Sequence, residues 1–254
     1  MKFLNALNLC FVLLITGIEL GIAQSIAGVE ETGIVYRKTR SMGVYIHSRG
    51  TGLSFRRGVN ETGFRSAQFD FSLQTMRHPK EIRSVNPFSD NAVGYIYGKR
   101  NSILMLRTGW GKQIVLHPEG DKGGVETGFC LYAGATWALV KPVYLNVYYF
   151  DNNFGVRERT ERYNPQLHYP DNISGRAPFL VGIGESRFSA GLYANAGMQF
   201  EFGRKQQNLR MLEAGIAADF MARPIEIMAN NPAERLFVTL YIRLMYGKLW
   251  NRNE

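Results

Sequence analysis

Along residues 236–246 the side chains change character in two-residue steps. Leu236, Val238, Leu240, Ile242, Leu244 and Tyr246 share one parity; Phe237, Thr239, Tyr241, Arg243 and Met245 share the other. A period of two marks an extended strand whose two faces meet different surroundings. The alternation recurs at 67–75, where Ala67, Phe69, Phe71, Leu73 and Thr75 oppose Gln68, Asp70, Ser72 and Gln74. It returns at 190–202, where Leu192, Ala194, Ala196, Met198, Phe200 and Phe202 oppose Gly191, Tyr193, Asn195, Gly197, Gln199 and Glu201. Similar patterns run through 102–111, 125–139, 143–150 and 212–222; 42–48 and 52–58 are shorter, and 34–38 is the weakest candidate. The chain is therefore expected to be all-β, with segments of membrane-spanning length.

Alternation alone fits both a soluble sandwich, apolar face inward, and a membrane barrel, apolar face outward. No segment after the first 23 residues offers eighteen consecutive apolar residues, so a spanning helix is not expected. Without one, only a closed barrel can satisfy its backbone in hydrocarbon. Three features favour the barrel. The less apolar face carries Asp70, Glu126, Glu201, Glu213 and Asp219 against Arg107 and Arg243, with Gly128, Gly134, Gly191, Gly197 and Gly215 relieving crowding. These seven charges are expected to form a lumen charge network. Connections also alternate, short at 141–142 and 203–208 and longer at 151–186 and 223–234. Outward aromatics then sort into two belts, Trp110, Tyr149 and Phe220 toward the extracellular side and Trp137, Phe202, Tyr246 and Trp250 toward the periplasmic side. The expected fold is a closed antiparallel transmembrane β-barrel of about ten strands, eight being the alternative. With ten, 78–101 becomes a long periplasmic connection.

The first residues read as an export signal: Lys2, an apolar core at 9–15, and Gly21 and Ala23 placed for cleavage after Ala23. The expected organisation is a signal peptide at 1–23 and one barrel domain at 24–254. Removing 1–23 takes away one lysine and one glutamate, so the net charge stays at +9. It also removes Cys10, leaving Cys130 alone and unable to form an internal disulfide.

Several strings resemble an uncharacterised outer-membrane β-barrel family of Bacteroidetes-type bacteria. They are 52–58 (GLSFRRG), 76–81 (MRHPKE), Asn86-Pro87, Tyr97-Gly98-Lys99, 122–126 (KGGVE) and 175–179 (GRAPF). Where that family has Tyr-Gly-Lys-Leu-Asn, this chain places Arg100 before Asn101. The resemblance implies a barrel in the cell outer membrane and no particular reaction.

Barrel enzymes that modify lipid need a nucleophile and acid–base groups close together. His47, His78, His117 and His168 have no His-x-Ser neighbour and no metal-binding spacing, so packing or surface roles are expected for them. The glycine-rich string at 120–124 reads as a hairpin tip, since no strand-to-helix phosphate loop surrounds it. Arg37, Lys38, Arg40, Arg49, Arg56 and Arg57 fall in a stretch without an acid. With ten strands, Lys38, Arg40, Arg56 and Arg57 approach the outer rim, where they could contact lipopolysaccharide phosphates. The function expected is a non-enzymatic structural, assembly or secretion-accessory role in the envelope, with no catalytic residue, metal or cofactor. Its partners would be outer-membrane lipid, lipopolysaccharide and an envelope protein, not nucleic acid. The alternatives are a lipid A- or phospholipid-modifying enzyme and a narrow channel.

Overall fold

The computed structural model describes residues 38–87, 93–118, 124–150, 156–202 and 208–250. The signal at 1–23, most of the weak segment 34–38, most of the string 120–124 and the Trp250 side chain lie outside the described part.

The strands are β1 (Lys38–His47), β2 (Gly50–Asn60), β3 (Arg65–Met76), β4 (Arg83–Ser84), β5 (Tyr95–Ile96), β6 (Asn101–His117), β7 (Val125–Pro142), β8 (Tyr144–Phe150), β9 (Val156–Arg162), β10 (Ile173–Arg176), β11 (Arg187–Phe202), β12 (Asn208–Ile225) and β13 (Glu234–Trp250). Eight of them close a barrel in the order β1-β13-β12-β11-β7-β6-β3-β2. Every neighbouring pair is antiparallel, and the seam is β1 on β13, where Lys38 lies opposite Trp250 and His47 opposite Tyr241. Closure leaves no edge strand in the barrel.

The alternation resolves into an inside-out molecule. Leu192 and Leu240 are 68 % and 62 % exposed, whereas Arg56, Arg107 and Arg243 are 2 %, 0 % and 0 % exposed. Met42, Val44 and Ile46 on β1, Leu53 and Phe55 on β2, and Leu236 through Tyr246 on β13 extend the exposed apolar surface around the wall. Water would not tolerate so continuous an apolar exterior over an ionic interior; hydrocarbon would. The fold is that of a transmembrane barrel.

Eight strands leave an interior just wide enough for side chains to fill, and it is filled in layers. Glycine makes room where two large groups meet the wall. A Cβ on Gly197 would come within 2.7 Å of the Tyr241 hydroxyl, and one on Gly109 would collide with the Tyr193 hydroxyl. One end of the barrel carries the starts of β1, β3, β7 and β12 and the ends of β2, β6, β11 and β13; we call it the terminal end. The other, the loop end, carries the turn 48–49 and the long connections 77–100, 143–186 and 226–233. By the usual asymmetry of such barrels the terminal end is periplasmic and the loop end extracellular.

Eight strands, the alternative count, replace the ten preferred from the sequence, for two reasons. The piece around 38 and the segment 42–48 are one strand, β1. The segment 143–150 is β8, which leaves the barrel and pairs with β9 and β10 in a separate three-stranded sheet. Merging the first two reverses the direction expected for β1, β2, β3, β6 and β7; removing β8 restores it for β11 to β13. Trp110 therefore lies in the terminal half of β6 and Trp137 in the loop half of β7, the reverse of the expected sides. Phe220, Phe202 and Tyr246 keep the expected ends. The connection 77–100 moves to the loop end, where a long connection is ordinary.

Candidate functional site

Two built regions stand out: the ionic layer inside the barrel and the cap of connections above it. In the ionic layer Arg56 Nε donates to Asp70 Oδ1 at 3.1 Å, and Arg56 Nη1 to Glu213 Oε2 at 2.7 Å. Arg243 Nη1 donates to the same Asp70 Oδ1 at 2.6 Å and lies 3.9 Å from Glu213 Oε1, which also accepts from the Tyr241 hydroxyl at 2.7 Å. Beside this cluster Arg107 grips Asp219 with two nitrogens, Nε to Oδ1 at 2.9 Å and Nη2 to Oδ2. Thr136 donates to Asp219 Oδ1 at 2.7 Å, and Arg107 Nη1 donates to the Tyr45 hydroxyl at 2.9 Å.

Tyrosine faces complete the layer. The Arg243 guanidinium sits 4.9 Å from the Tyr45 ring centre and that of Arg56 4.4 Å from the Tyr132 ring. Three arginines face three carboxylates, so the layer is neutral as a whole. An unpaired charge here would be costly, and the shared partners remove that cost.

The residues singled out from sequence distribute as follows. Asp70, Arg107, Glu213, Asp219 and Arg243 meet in the ionic layer. Glu126 and Glu201 lie opposite each other in the β7–β11 register near the terminal end, lining a cavity of about 60 Å³ with Ser66, Gln68 and Gln113. Of the four basic residues expected at an outer rim, Arg56 points into the lumen. Lys38, Arg40 and Arg57 are at the terminal end, with Arg40 directly opposite Arg57. The signal that separates Arg56 from Arg57 is parity: Ser54, Arg56 and Gly58 share the inner face, Leu53, Phe55, Arg57 and Val59 the outer one.

Toward the loop end the ionic layer is roofed by an apolar one of Met76, Ile103, Met105, Ala138, Met221, Ile225, Ile227 and Phe237. Above it the long connections fold onto one another. Tyr95 from the first, Leu145, Val147, Tyr163 and Ile173 from the second, and Ala229 from the third share one buried cluster. Hydrogen bonds stitch the same three together: Asn86 Nδ2 to the Ile173 carbonyl at 2.7 Å, and the Ala229 amide to the Gly98 carbonyl at 2.7 Å. Ion pairs add Arg49 with Glu234 at 2.7 Å and Lys99 with Glu81 at 2.7 Å. Burial pushes the Tyr163 phenol up to about 12, helped by the neighbouring Tyr97. A hydrogen bond to Glu185 holds the Tyr144 phenol above its ordinary value.

The histidines are spread out. His168 is buried in the cap, where its Nδ1 accepts from the Asn164 amide at 3.1 Å. His78 lies 3.4 Å from Glu234, and His47 Nδ1 accepts from the Arg49 amide in the β1–β2 turn. His117 ends β6 at the terminal end, 3.2 Å from the Thr127 hydroxyl. Among the described residues no three His, Cys, Asp or Glu side chains converge as a metal site.

No protein-family model matches the chain, and no curated protein sequence matches it. Among solved structures it is similar to Ail, the attachment invasion locus protein of Yersinia pestis, crystallised in complex with the heparin analogue sucrose octasulfate. Identity is 11 %, coverage 85 % of this chain and 99 % of that one, and the TM-score 0.36. A second Ail structure gives 10 % identity and a TM-score of 0.37 over the same shares of the two chains. Neisserial surface protein A, NspA, gives 9 % identity over 85 % of this chain and 96 % of its own, with a TM-score of 0.37. At such identities and scores the likeness carries no argument about function, and the barrel rests on its own strand pairing.

Proposed function

We propose that this chain is a small outer-membrane barrel with a non-enzymatic envelope role, whose working surface is the folded cap at the loop end. The observation that carries this reading is the shared cluster of Tyr95, Leu145, Val147, Tyr163, Ile173 and Ala229. Three connections distant in sequence are held in one arrangement above a lumen packed with side chains. Such a surface is pre-ordered for a partner and loses little conformational freedom on binding. The packed ionic and apolar layers argue for a closed barrel rather than a narrow channel. The histidines are dispersed: His78 stands near Glu234 and His168 near Glu161, at separate places rather than together in one reaction centre.

The export signal at 1–23 and the resemblance to a Bacteroidetes-type family belong to the same proposal. So do its partners, outer-membrane lipid with lipopolysaccharide and an envelope protein met through the cap. The test is photo-crosslinking in native outer membranes. The probe would replace Phe179 or Leu180, 70 % and 71 % exposed on the connection leading to β11, or Arg57 at the terminal end. Capture of one defined envelope component from the cap positions supports the proposal. Capture from Arg57 alone, or unitary conductance of the purified barrel in planar bilayers, would remove it.

A further inference from the structure

Between the apolar roof and the cap, the loop end of the barrel opens into a cavity of about 440 Å³. Its charged lining is Arg100, Arg162, Arg187 and Arg223 with Glu185 and Glu226. Two of the arginines are engaged. Arg100 Nη1 donates to both oxygens of Glu226 at 2.9 and 2.8 Å, and Arg162 lies 3.9 Å from Glu185, which also accepts from the Tyr144 hydroxyl. Arg187 opens β11 and Arg223 lies near the end of the adjacent β12; among the described residues neither has a carboxylate partner. Ser189 lines the same cavity, and its buried hydroxyl has no hydrogen-bond partner. Val140, Pro142, Pro224 and Ile225 supply an apolar floor.

We propose that this cavity is a binding site for a phosphate-class oxyanion, carried on a lipid or sugar headgroup outside the membrane or free in solution. Two uncommitted guanidinium forks suit the spread oxygens of a phosphate, and a neutral hydroxyl donor beside them suits a third oxygen. The lining is cationic by excess, so an anion restores neutrality where a cation would add repulsion. The cavity exceeds one phosphate in size and leaves room for part of the group that bears it. This rests on the outer-membrane reading only for the lipid-borne source of the anion.

The experiment uses the full barrel folded in detergent micelles and titrates it with inorganic pyrophosphate by calorimetry. Saturable binding is expected in the wild type. Arg187→Gln and Arg223→Gln should each weaken it about ten-fold or more, the loss of one charge-assisted contact. Glu185→Gln removes an acid from the lining and should tighten binding, while Arg210→Gln on the far outer wall should leave it unchanged. A second arm places the barrel in bilayers with bis-phosphorylated or dephosphorylated lipid A. Competition by the first alone marks a lipid-borne anion, and pyrophosphate binding without it marks a free one. Absence of saturable binding by wild-type barrel that has inserted and resists unfolding in cold SDS overturns the site without touching the membrane reading. Equal affinity of the wild type and both arginine variants overturns it too. Should those variants misfold, the wild type and Glu185→Gln still decide, because unchanged or weaker binding in Glu185→Gln contradicts the proposal.

Discussion

Removing Arg107 is the sharpest perturbation of the ionic layer. Its side chain is fully buried, holds Asp219 through Nε at 2.9 Å and through Nη2, and reaches the Tyr45 hydroxyl at 2.9 Å. Arg107→Met keeps most of the volume but leaves Asp219 with the Thr136 hydroxyl at 2.7 Å and no cation in contact. Breaking one side of a buried pair costs about 3–5 kcal/mol, because the remaining charge is stranded. That is roughly two to three and a half decades in the folding constant. Asp219→Asn strands the guanidinium instead and should cost a similar amount. The double variant removes both charges and keeps the layer neutral, and replacing a whole buried pair is often near neutral. The coupling between the two sites should therefore be about 3 kcal/mol or more, of the sign that makes the double variant better than the sum. The assay is reversible urea unfolding from lipid vesicles with the slope held common across variants. Lys248→Met on the exposed outer face serves as control and should change stability by less than about 1 kcal/mol. Additive single losses, or an Arg107→Met loss as small as the control, would refute the claim that the layer is held by mutual neutralisation.

Other expectations follow from the same structure. Leu240→Lys places a charge on the lipid face near the middle of β13 and should cost about 2–4 kcal/mol in vesicles, read by the same unfolding assay. Ile173→Ala opens the cap cluster; it should speed proteolysis within 143–186 while leaving the unfolding midpoint of the barrel nearly unchanged. The Tyr163 phenol, raised to about 12, favours the folded cap while neutral. That contribution is complete below the unfolded value near 10 and is lost as pH rises through about 12. Hydrogen-exchange protection of the cap should fall over that interval, and Tyr163→Phe should lose that part of the fall.

The sequence showed which face of a strand is which, but not which core the face meets. On β13 and β11 parity alone separated Leu240 from Tyr241 and Leu192 from Tyr193, because lipid on one side and lumen on the other act along the full strand. On β8 the same alternation misled. Leu145 and Val147 are buried in the cap cluster, so the strand has a real inner face, only not one inside the barrel. Periodicity records that a face is buried; the pairing partner comes from contacts far away in sequence. Arg56 and Arg57, read together as a rim pair, show the cost of weighing charge before parity. Arg187 and Arg223 carried no local signal at all, since what brings them to one cavity is the β11–β12 pairing and the fold of two connections.

The central claim is an eight-stranded barrel that turns its apolar face to lipid and keeps its lumen shut. The direct measurement is a nitroxide scan of residues 236–246 in vesicles, one cysteine at a time in a Cys130→Ser background, with oxygen and a water-soluble nickel chelate as relaxing agents. The account predicts a strict period of two. Labels at 236, 238, 240, 242 and 244 should meet oxygen and not nickel, and those at 237, 239, 241, 243 and 245 should meet neither. Nickel access at the even positions would contradict the lipid-facing wall, and nickel access at 239, 241 and 243 would contradict the closed lumen.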